Sequence, residues 1–286
     1  MTRKIVCLHH NDQDGHCAGA IVRHRFGNAV ALHEIDYGLP VPWDALDAAT
    51  TVILTDFSLP RADMEKLYHA KGENFIWIDH HISAMNDMAD LPLAGRRDLQ
   101  KAGCVLTWEY FFPDDPVPSA VKYIGDRDIW RFAYPQTRRF CEGLFAADIT
   151  ATNDELWKPL LQNDTAPIEK LITAGEILLN ARLKSITRRV ANYGFEVTFE
   201  GYKTLAVNMP SNGDVGHHIC KLGYDVAYVY SETRHEDKIV TKVTLYSETV
   251  DVSRLAKAHG GGGHKGAAGF QFVRTGNSPL PADALC

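Results

Sequence analysis

The chain has 286 residues, of which 45% are hydrophobic and 23% are charged, and its formal net charge is −6. This length fits two domains of ordinary size better than one core, and the negative charge argues against a protein that coats long nucleic acid by neutralising its phosphates. The chain contains no apolar run near the roughly 20 residues of a membrane span and does not open with a signal-peptide pattern. We therefore expect a cytoplasmic protein that does not insert into a membrane.

The first half of the chain alternates short apolar runs with helical stretches, which is the pattern of parallel α/β units. Ligands of an open parallel sheet gather beyond the carboxyl ends of its strands, so the residues that follow each strand matter most for function. Strands are predicted over 4–8, 30–35, 51–54 and 74–78, and helices over 17–26 and 60–71.

The first predicted strand leads into His10, Asp12 and Asp14, which occupy every second position and are followed by Gly15. Alternation along an extended chain points residues of the same parity in one direction, so these side chains can converge. Imidazole and carboxylate together favour Mn²⁺ or a similar ion over Ca²⁺, which prefers oxygen alone, and over structural Zn²⁺, which usually recruits thiolates. Asn, Asp and Gly are also ordinary turn residues, so this motif alone is more typical of a turn than of a metal site.

More acidic residues and histidines follow the third and fourth predicted strands and a helix predicted over 119–124, which comes after a helix predicted over 103–112. The residues after the two strands belong to the same edge of the sheet as the first motif. The residues in question are Asp56, then Asp79, His80 and His81, and finally Asp126 and Asp128.

The second half of the chain has a different character. A long amphipathic helix is predicted over 168–192 as a connector. From about residue 194 the sequence alternates like an antiparallel sheet, and a short helix then leads into four glycines, 260–263, and His264.

Taken in order, these motifs resemble those of the DHH phosphoesterase superfamily, including the C-terminal DHH-associated domain of its RecJ and nanoRNase branch. The resemblance spans nearly the whole chain. It implies an α/β protein with an N-terminal parallel-sheet domain and flanking helices over 1–150, a helical linker over 151–193, and a smaller C-terminal mixed-sheet α/β domain over 194–286 that binds substrate.

The resemblance also implies a centre of two divalent ions, with Mn²⁺ favoured and Mg²⁺ or Co²⁺ as alternatives. Two such ions can activate a water for in-line attack on phosphorus and clamp the phosphoryl oxygens. The implied ligands are His10 and Asp12 for one ion, Asp14 and His80 for the other, Asp56 as the bridge, and Asp126 to complete the cluster.

Two of these ligands have a competitor. Asp126 aligns best with the family's fourth motif, and Asp128 is the rival, which we interpret as a helix-flanking carboxylate paired with a nearby arginine. His9 can replace His10, because some branches place the histidine further before the first aspartate. We favour Asp126 and His10.

The remaining site residues concern the substrate. The resemblance implies that His81 faces the scissile phosphate and that Asp79 orients the histidine pair by hydrogen bonding. Consecutive glycines let backbone N–H groups approach an anion, although a glycine run alone is more often a flexible loop. The candidates for gripping the terminal phosphate or nucleotide are Gly261, Gly262, Gly263 and His264, with Arg127 as a further contact.

One position departs from the family. Many relatives carry an arginine in a Leu-Arg-Ser setting before the last helix, whereas this chain has Tyr246 between Leu245 and Ser247. Tyrosine lacks the charge and the bidentate fork of arginine. The substrate is then held differently, for example by Lys265 or Arg127, or it carries less charge, or Tyr246 only packs.

The sequence therefore predicts a hydrolase, namely a metal-dependent phosphodiesterase that cleaves short oligonucleotides or dinucleotides to mononucleotides. Alternatives within the family are a phosphomonoesterase for 3′-phosphoadenosine 5′-phosphate and a cyclic-nucleotide phosphodiesterase, and outside catalysis a nucleotide-sensing module. The expected partner is a short oligonucleotide or nucleotide, and not a membrane or long duplex nucleic acid; a homodimer is left open.

Overall fold

A computed structural model describes residues 4–274 and 279–281 of the chain. Contacts divide it into two compact units, Met1–Leu179 and Asn180–Cys286. In chain order the elements are β1 (Ile5–His10), α1 (Gln13–Phe26), β2 (Val30–Ile35), α2 (Trp43–Ala48), β3 (Thr51–Thr55), α3 (Arg61–Lys71), β4 (Phe75–Ile78), α4 (Ile82–Asp87), α5 (Gly103–Phe111), α6 (Ser119–Asp128), α7 (Thr137–Phe145), α8 (Asp154–Leu161), α9 (Thr165–Tyr193), β5 (Phe195–Phe199), β6 (Tyr202–Asn208), α10 (Gly213–Lys221), β7 (Val226–His235), β8 (Lys238–Tyr246), α11 (Val252–Ala258), β9 (Gly262–His264) and β10 (Ala267–Val273).

Within the described residues, the first unit is built on a four-stranded sheet in the order β2-β1-β3-β4. Its strand pairs β1–β2, β1–β3 and β3–β4 are all parallel, which confirms the predicted parallel sheet. The central strands are apolar because both faces are covered: Val6 and Leu8 lie in one core cluster, and Cys7 and Ile53 lie in another.

The second unit carries, over the part of the chain that the structure describes, a six-stranded sheet in the order β5-β6-β7-β8-β10-β9. The pair β6–β7 is parallel and the other neighbours are antiparallel, so the predicted mixed-sheet α/β domain is confirmed. Strand alternation alone indicated an antiparallel sheet; the parallel pair arises because helix α10 provides the crossover between β6 and β7.

The boundary between the units falls inside helix α9. Near its beginning, Ile168 packs in a core cluster with Trp157 of α8, whereas Ile186 nearer its end packs with Val207 and Val215. The predicted linker over 151–193 is thus shared between the two units, because its apolar stripe meets a different core at each end.

Two helices of the first unit are longer than the sequence predicted, and both changes affect the site. Helix α1 begins at Gln13 instead of residue 17, and helix α6 continues to Asp128 instead of ending near residue 124. Among the described residues, no helix combines the length and the apolar character needed to span a bilayer.

Candidate metal centre

Three strand ends of the parallel sheet bring polar side chains to one edge. His10 is the last residue of β1, Asp56 directly follows β3, and Asp79 directly follows β4. The backbone N–H of Asp56 donates to the carbonyl of Ile78 over 2.9 Å, which ties the ends of β3 and β4 together. The predicted clustering at the carboxyl edge is therefore present in the fold.

Asp12 and Asp14 reach this edge through a tight strand-to-helix turn, and not through strand alternation. Asp12 is the N-cap of α1, where its Oδ1 accepts from the N–H of Gly15 over 2.8 Å, and Asp14 lies in the first helical turn. A Cβ at Gly15 would lie 2.3 Å from the carbonyl oxygen of His10, so this turn requires glycine.

The beginning of helix α5 holds the carboxylate of Asp14. The N–H of Gly103 donates to its Oδ2 over 2.7 Å, and the N–H of Cys104 donates to its Oδ1 over 2.9 Å. A Cβ at Gly103 would lie 2.6 Å from Cβ of Asp56, so glycine is needed here as well. Sequence reasoning missed both amides, although a glycine opening a predicted helix was a signal.

His10, Asp12 and Asp56 form what we call the first donor set, because their ligand atoms all lie within 4.8 Å of one another. Nδ1 of His10 lies 3.2 Å from Oδ2 of Asp12 and 3.8 Å from Oδ2 of Asp56. One imidazole nitrogen and two carboxylates thus face the same point.

Asp14, His80 and Asp128 form the second donor set by the same criterion. Nε2 of His80 lies 3.3 Å from Oδ2 of Asp128 and 3.8 Å from Oδ2 of Asp14. The same nitrogen lies 3.1 Å from Oδ1 of Asp56. Asp56 therefore presents one carboxylate oxygen to each set.

The burial of these groups fits a cation. Among the described residues, both carboxylate oxygens of Asp56 and Nδ1 of His10 are buried without a hydrogen-bond partner, which is costly for polar atoms unless a ligand satisfies them. Asp56 also has a φ of 55°, in the left-handed region that a non-glycine residue enters at some cost in energy. A divalent ion bound by nitrogen and carboxylate would satisfy each of these atoms.

The pKa values of the donor groups favour bound protons near neutral pH. Burial raises the pKa of Asp56 to about 7 and that of Asp128 to about 7, and burial together with the charge of Asp56 raises the pKa of Asp14 well above its usual range. The carboxylates of Asp12 and Asp56 beside the imidazole raise the pKa of His10 to about 10. Binding of a divalent ion would displace these protons.

The structure places Asp128, and not Asp126, beside His80. Both carboxylate oxygens of Asp126 face the segment after α6: Oδ1 accepts from the N–H of Ala133 over 2.8 Å, and Oδ2 accepts from the N–H of Tyr134 over 3.2 Å and from the hydroxyl of Thr137. Residues two apart on a helix differ by about 200° in direction. Because α6 extends through both aspartates, only one of them can face the donor sets.

Asp79 lies beneath the histidine pair. Its Oδ1 accepts from the N–H of His80 over 2.7 Å, from the N–H of His81 over 3.2 Å, and from Nδ1 of His81 over 2.7 Å. The hydrogen bond from the ring raises the pKa of His81 to about 9. Asp56, His80 and His81 also form a compact group of candidate ligands, so His81 faces the same centre.

Two other predicted residues lie in different surroundings. Arg127 donates from Nη1 to Oε1 of Gln13 over 3.2 Å, and its guanidinium lies 5.0 Å from the ring centroid of Phe145. His9, the alternative to His10, is buried on the other face of β1 with its ring 5.2 Å from that of His16. His9 is part of neither donor set.

The glycine run lies in the second unit and forms a hairpin. Strand β9 (Gly262–His264) pairs antiparallel with β10. Gly263 has a φ of 140°, and a Cβ there would lie 2.6 Å from Cα of Ala268. The side chain of His264 is exposed. A Cβ at Gly261 would likewise lie 2.1 Å from the carbonyl oxygen of Gly269. Close packing of the hairpin therefore explains two of these glycines without reference to a ligand, while the side chain of His264 stays available to a ligand.

Tyr246, which stands where many relatives have arginine, packs within the second unit. Its side chain is half-buried beside α10, and a Cβ at Gly216 would lie 2.3 Å from its Cγ. Of the interpretations of this departure, the contacts support packing.

A comparison of the sequence with protein-family models finds no match. An uncharacterized protein of Acanthamoeba polyphaga mimivirus is 28% identical over 237 residues, which cover 77% of this chain and 53% of that protein. The chain thus spans about half the length of this curated relative.

Similar solved structures define the fold. The DHH domain of a member of a family of ribosomal proteins matches with a TM-score of 0.57 at 14% identity, covering 95% of this chain and 83% of that one. A pGpG-specific phosphodiesterase from Vibrio cholerae matches with a TM-score of 0.54 at 12% identity, covering 94% and 93%. RecJ from Thermus thermophilus in complex with Mn²⁺ matches with a TM-score of 0.53 at 17% identity, covering 94% and 49%. The chain shares the fold of these DHH-domain, phosphodiesterase and RecJ structures.

Proposed function

We propose that this chain is a metal-dependent phosphodiesterase that hydrolyses short oligonucleotides or dinucleotides to mononucleotides. The observation that carries the proposal is the position of Asp56. One of its two buried carboxylate oxygens faces His10, and the other faces His80. A carboxylate shared between two donor sets is the arrangement that a two-ion phosphoesterase needs.

In this proposal the first donor set holds one ion and the second donor set holds the other, with Asp56 shared. Mn²⁺ is the favoured ion, because the ligands combine imidazole with carboxylate and because the similar RecJ structure contains it. When bound, two divalent ions supply activation of a water and neutralise the phosphoryl oxygens. Asp128 takes the ligand position that we first gave to Asp126.

His81 is proposed to meet the charge of the scissile phosphate. Asp79 holds Nδ1 of His81, so that Nε2 remains for the substrate. With a pKa of about 9, this imidazole is cationic at neutral pH. Asp79 is then a positioning residue, whose three accepted hydrogen bonds fix both histidines.

The substrate is proposed to be short. A net charge of −6 argues against binding along a long polyanion, and the fold is similar to that of a pGpG-specific phosphodiesterase. We propose His264 and the glycines 261–263 as the grip for the terminal nucleotide, with Arg127 as a further contact. To contact the substrate, Arg127 would give up its hydrogen bond to Gln13.

Product analysis tests this function. Metal-free protein, with and without added Mn²⁺, is incubated with linear dinucleotides, short RNA and DNA, cyclic nucleotides, 3′-phosphoadenosine 5′-phosphate and pyrophosphate. We expect Mn²⁺-dependent release of mononucleotides from the linear substrates, and none from a matched Asp56→Asn preparation, which controls for contaminating nucleases. Release of phosphate from 3′-phosphoadenosine 5′-phosphate alone would overturn the phosphodiesterase in favour of a phosphomonoesterase.

A further inference from the structure

A short segment between α6 and α7 exposes two aromatic side chains. We call residues 129–136 the aromatic loop. In this loop the side chain of Trp130 is 55% exposed and that of Tyr134 is 43% exposed. Phe132, which lies between them in the sequence, is partly buried. Large aromatic side chains are normally removed from water, so exposed ones so close together in sequence indicate a surface that binds something.

The conformation of this loop is imposed by the buried carboxylate of Asp126. Besides the side-chain hydrogen bonds to Ala133, Tyr134 and Thr137, the backbone carbonyl of Asp126 accepts from the N–H of Arg131 over 2.9 Å. This explains why a carboxylate stands at position 126 although it is not part of a donor set. The loop is a built feature of the fold and not a loose connection.

The loop is also strained in the way that binding sites often are. Trp130 has a φ of 56° and Phe132 has a φ of 52°, in the region that favours glycine. Neither residue is glycine or asparagine, so the surrounding hydrogen bonds must hold them there. The result is that the two rings lie edge to face with centroids 4.8 Å apart.

Positive charge lies next to these rings. The guanidinium of Arg138 is 4.1 Å from the ring centroid of Phe132 and 6.0 Å from that of Trp130. Arg131, within the loop, donates to the carbonyl of Gln100 over 3.3 Å. Aromatic faces interleaved with arginine are the combination by which proteins bind unpaired nucleobases and their backbone.

The aromatic loop follows the second donor set directly along the chain. Trp130 comes two residues after Asp128, so their Cα atoms are at most about 7.6 Å apart. The loop therefore begins next to the second donor set, which is where the phosphate of a nucleotide would lie in the proposed function. This adjacency selects a nucleobase over other apolar ligands, since the neighbouring centre is suited to phosphate.

We propose that the aromatic loop is a stacking platform for an unpaired nucleobase of the substrate, with Trp130 as the contact surface and Asp126 as the residue that positions it. This inference rests on the proposed function for the location of the phosphate, and it narrows the substrate class. The preferred substrates carry an unpaired base next to the scissile bond, and phosphodiesters without a base are poor ones.

The first test compares a diadenosine dinucleotide with an analogue whose bases are both replaced by hydrogen. For Trp130→Ala we expect the KM for the dinucleotide to rise roughly tenfold or more, with the KM for the abasic analogue unchanged. For Trp130→Phe, which keeps an aromatic ring, we expect a much smaller rise in the KM for the dinucleotide. Tyr193→Ala, which removes a 67% exposed aromatic side chain on α9, is the matched control and should leave both values unchanged.

The second test needs no turnover, so it separates this inference from the proposed function. Metal-loaded protein is titrated with adenosine 5′-monophosphate while tryptophan fluorescence and heat are recorded. We expect quenching that is lost in Trp130→Phe, and affinity that is lost in Trp130→Ala. If quenching survives in Trp130→Phe and affinity survives in Trp130→Ala, the stacking platform is overturned even if hydrolysis is observed. A change of oligomeric state in Trp130→Ala without a change in binding would also overturn it. Binding without hydrolysis of any phosphodiester would overturn only the proposed function.

Discussion

Nε2 of His80 lies 3.1 Å from Oδ1 of Asp56, at the point where the ends of β3 and β4 meet. The other oxygen of the same carboxylate faces His10, at the end of β1. One buried side chain thus couples the two donor sets, and its removal must affect both.

Substitution Asp56→Asn is expected to abolish metal-dependent hydrolysis, lowering kcat by roughly a thousandfold or more, while the fold is retained. Asparagine keeps the shape and tolerates the φ of 55°, but it carries no charge to share. Calorimetric titration with Mn²⁺ should show fewer than two ions bound. Asp90→Asn, which alters an exposed carboxylate paired with Arg61, is the control and should bind Mn²⁺ as the unaltered chain does. Unchanged turnover in Asp56→Asn would refute the shared-carboxylate centre.

The two aspartates of helix α6 should respond differently to the same change. Asp128→Asn is expected to weaken Mn²⁺ binding with little loss of stability, because Asp128 lies beside His80 at the surface of the centre. Asp126→Asn should instead lower the free energy of unfolding by about 2 kcal/mol, since it weakens buried hydrogen bonds to a charged acceptor. Denaturant unfolding and Mn²⁺ titration of both variants distinguish the roles. The opposite pattern would return Asp126 to the ligand set.

Mn²⁺ affinity should fall as the pH drops below 7. The pKa of Asp56 and that of Asp128 are each about 7, raised from 3.8 by burial, so the folded, metal-free protein holds protons there that an ion must displace. Affinity is expected to fall about tenfold per pH unit for each proton displaced.

The raised pKa values of Asp56 and Asp128 also determine how the stability of the fold depends on pH. A raised carboxyl pKa contributes stability that is present below about pH 4 and is lost as the pH rises through about 7. Bound Mn²⁺ removes that loss, so the rise in Tm caused by Mn²⁺ should be larger at about pH 8 than at about pH 5.5. Thermal unfolding with and without Mn²⁺ at both values measures it; a larger rise at the lower pH would contradict the assignment.

Gly103→Ala should damage the centre from a distance in sequence. Its Cβ would lie 2.8 Å from Oδ1 of Asp56, and the shift needed to relieve that contact would also disturb the amide that holds Asp14. We expect a loss of about 1–3 kcal/mol in the free energy of unfolding, with weaker Mn²⁺ binding. Gly266→Ala is the control, because its Cβ would meet Ser247 at an ordinary 3.4 Å. Mn²⁺ affinity equal in the two variants would show that position 103 does not support the centre.

His264→Ala tests the grip proposed in the second unit. The side chain is exposed and directly follows the four glycines 260–263, so its loss should leave the fold intact. We expect the KM for a dinucleotide to rise roughly tenfold with a smaller change in kcat, as for the loss of a hydrogen bond to a charged group. Steady-state kinetics measure both. An unchanged KM would remove His264 from the binding residues.

The amino-acid sequence determined the strands of the first unit and the polar residues at their ends. Both depend on local patterns: apolar runs mark buried parallel strands, and parallel strands place their carboxyl ends at one edge. His10, Asp56 and His80 follow from this reasoning, and the structure brings all three together. The mixed sheet of the second unit, by contrast, came from the family resemblance, since alternation indicated an antiparallel sheet and did not reveal the parallel pair β6–β7.

The tertiary structure decided what depends on exact helix ends and on contacts distant in sequence. The choice between Asp126 and Asp128 required knowing that α6 continues through both. Residues two positions apart on a helix point in nearly opposite directions, so only one of these side chains can face the donor sets. The amides of α5 that hold Asp14 lie about 90 residues along the chain from it, a distance that no local pattern bridges. Periodicity records which side of an element is buried, whereas only packing decides which neighbour that side meets.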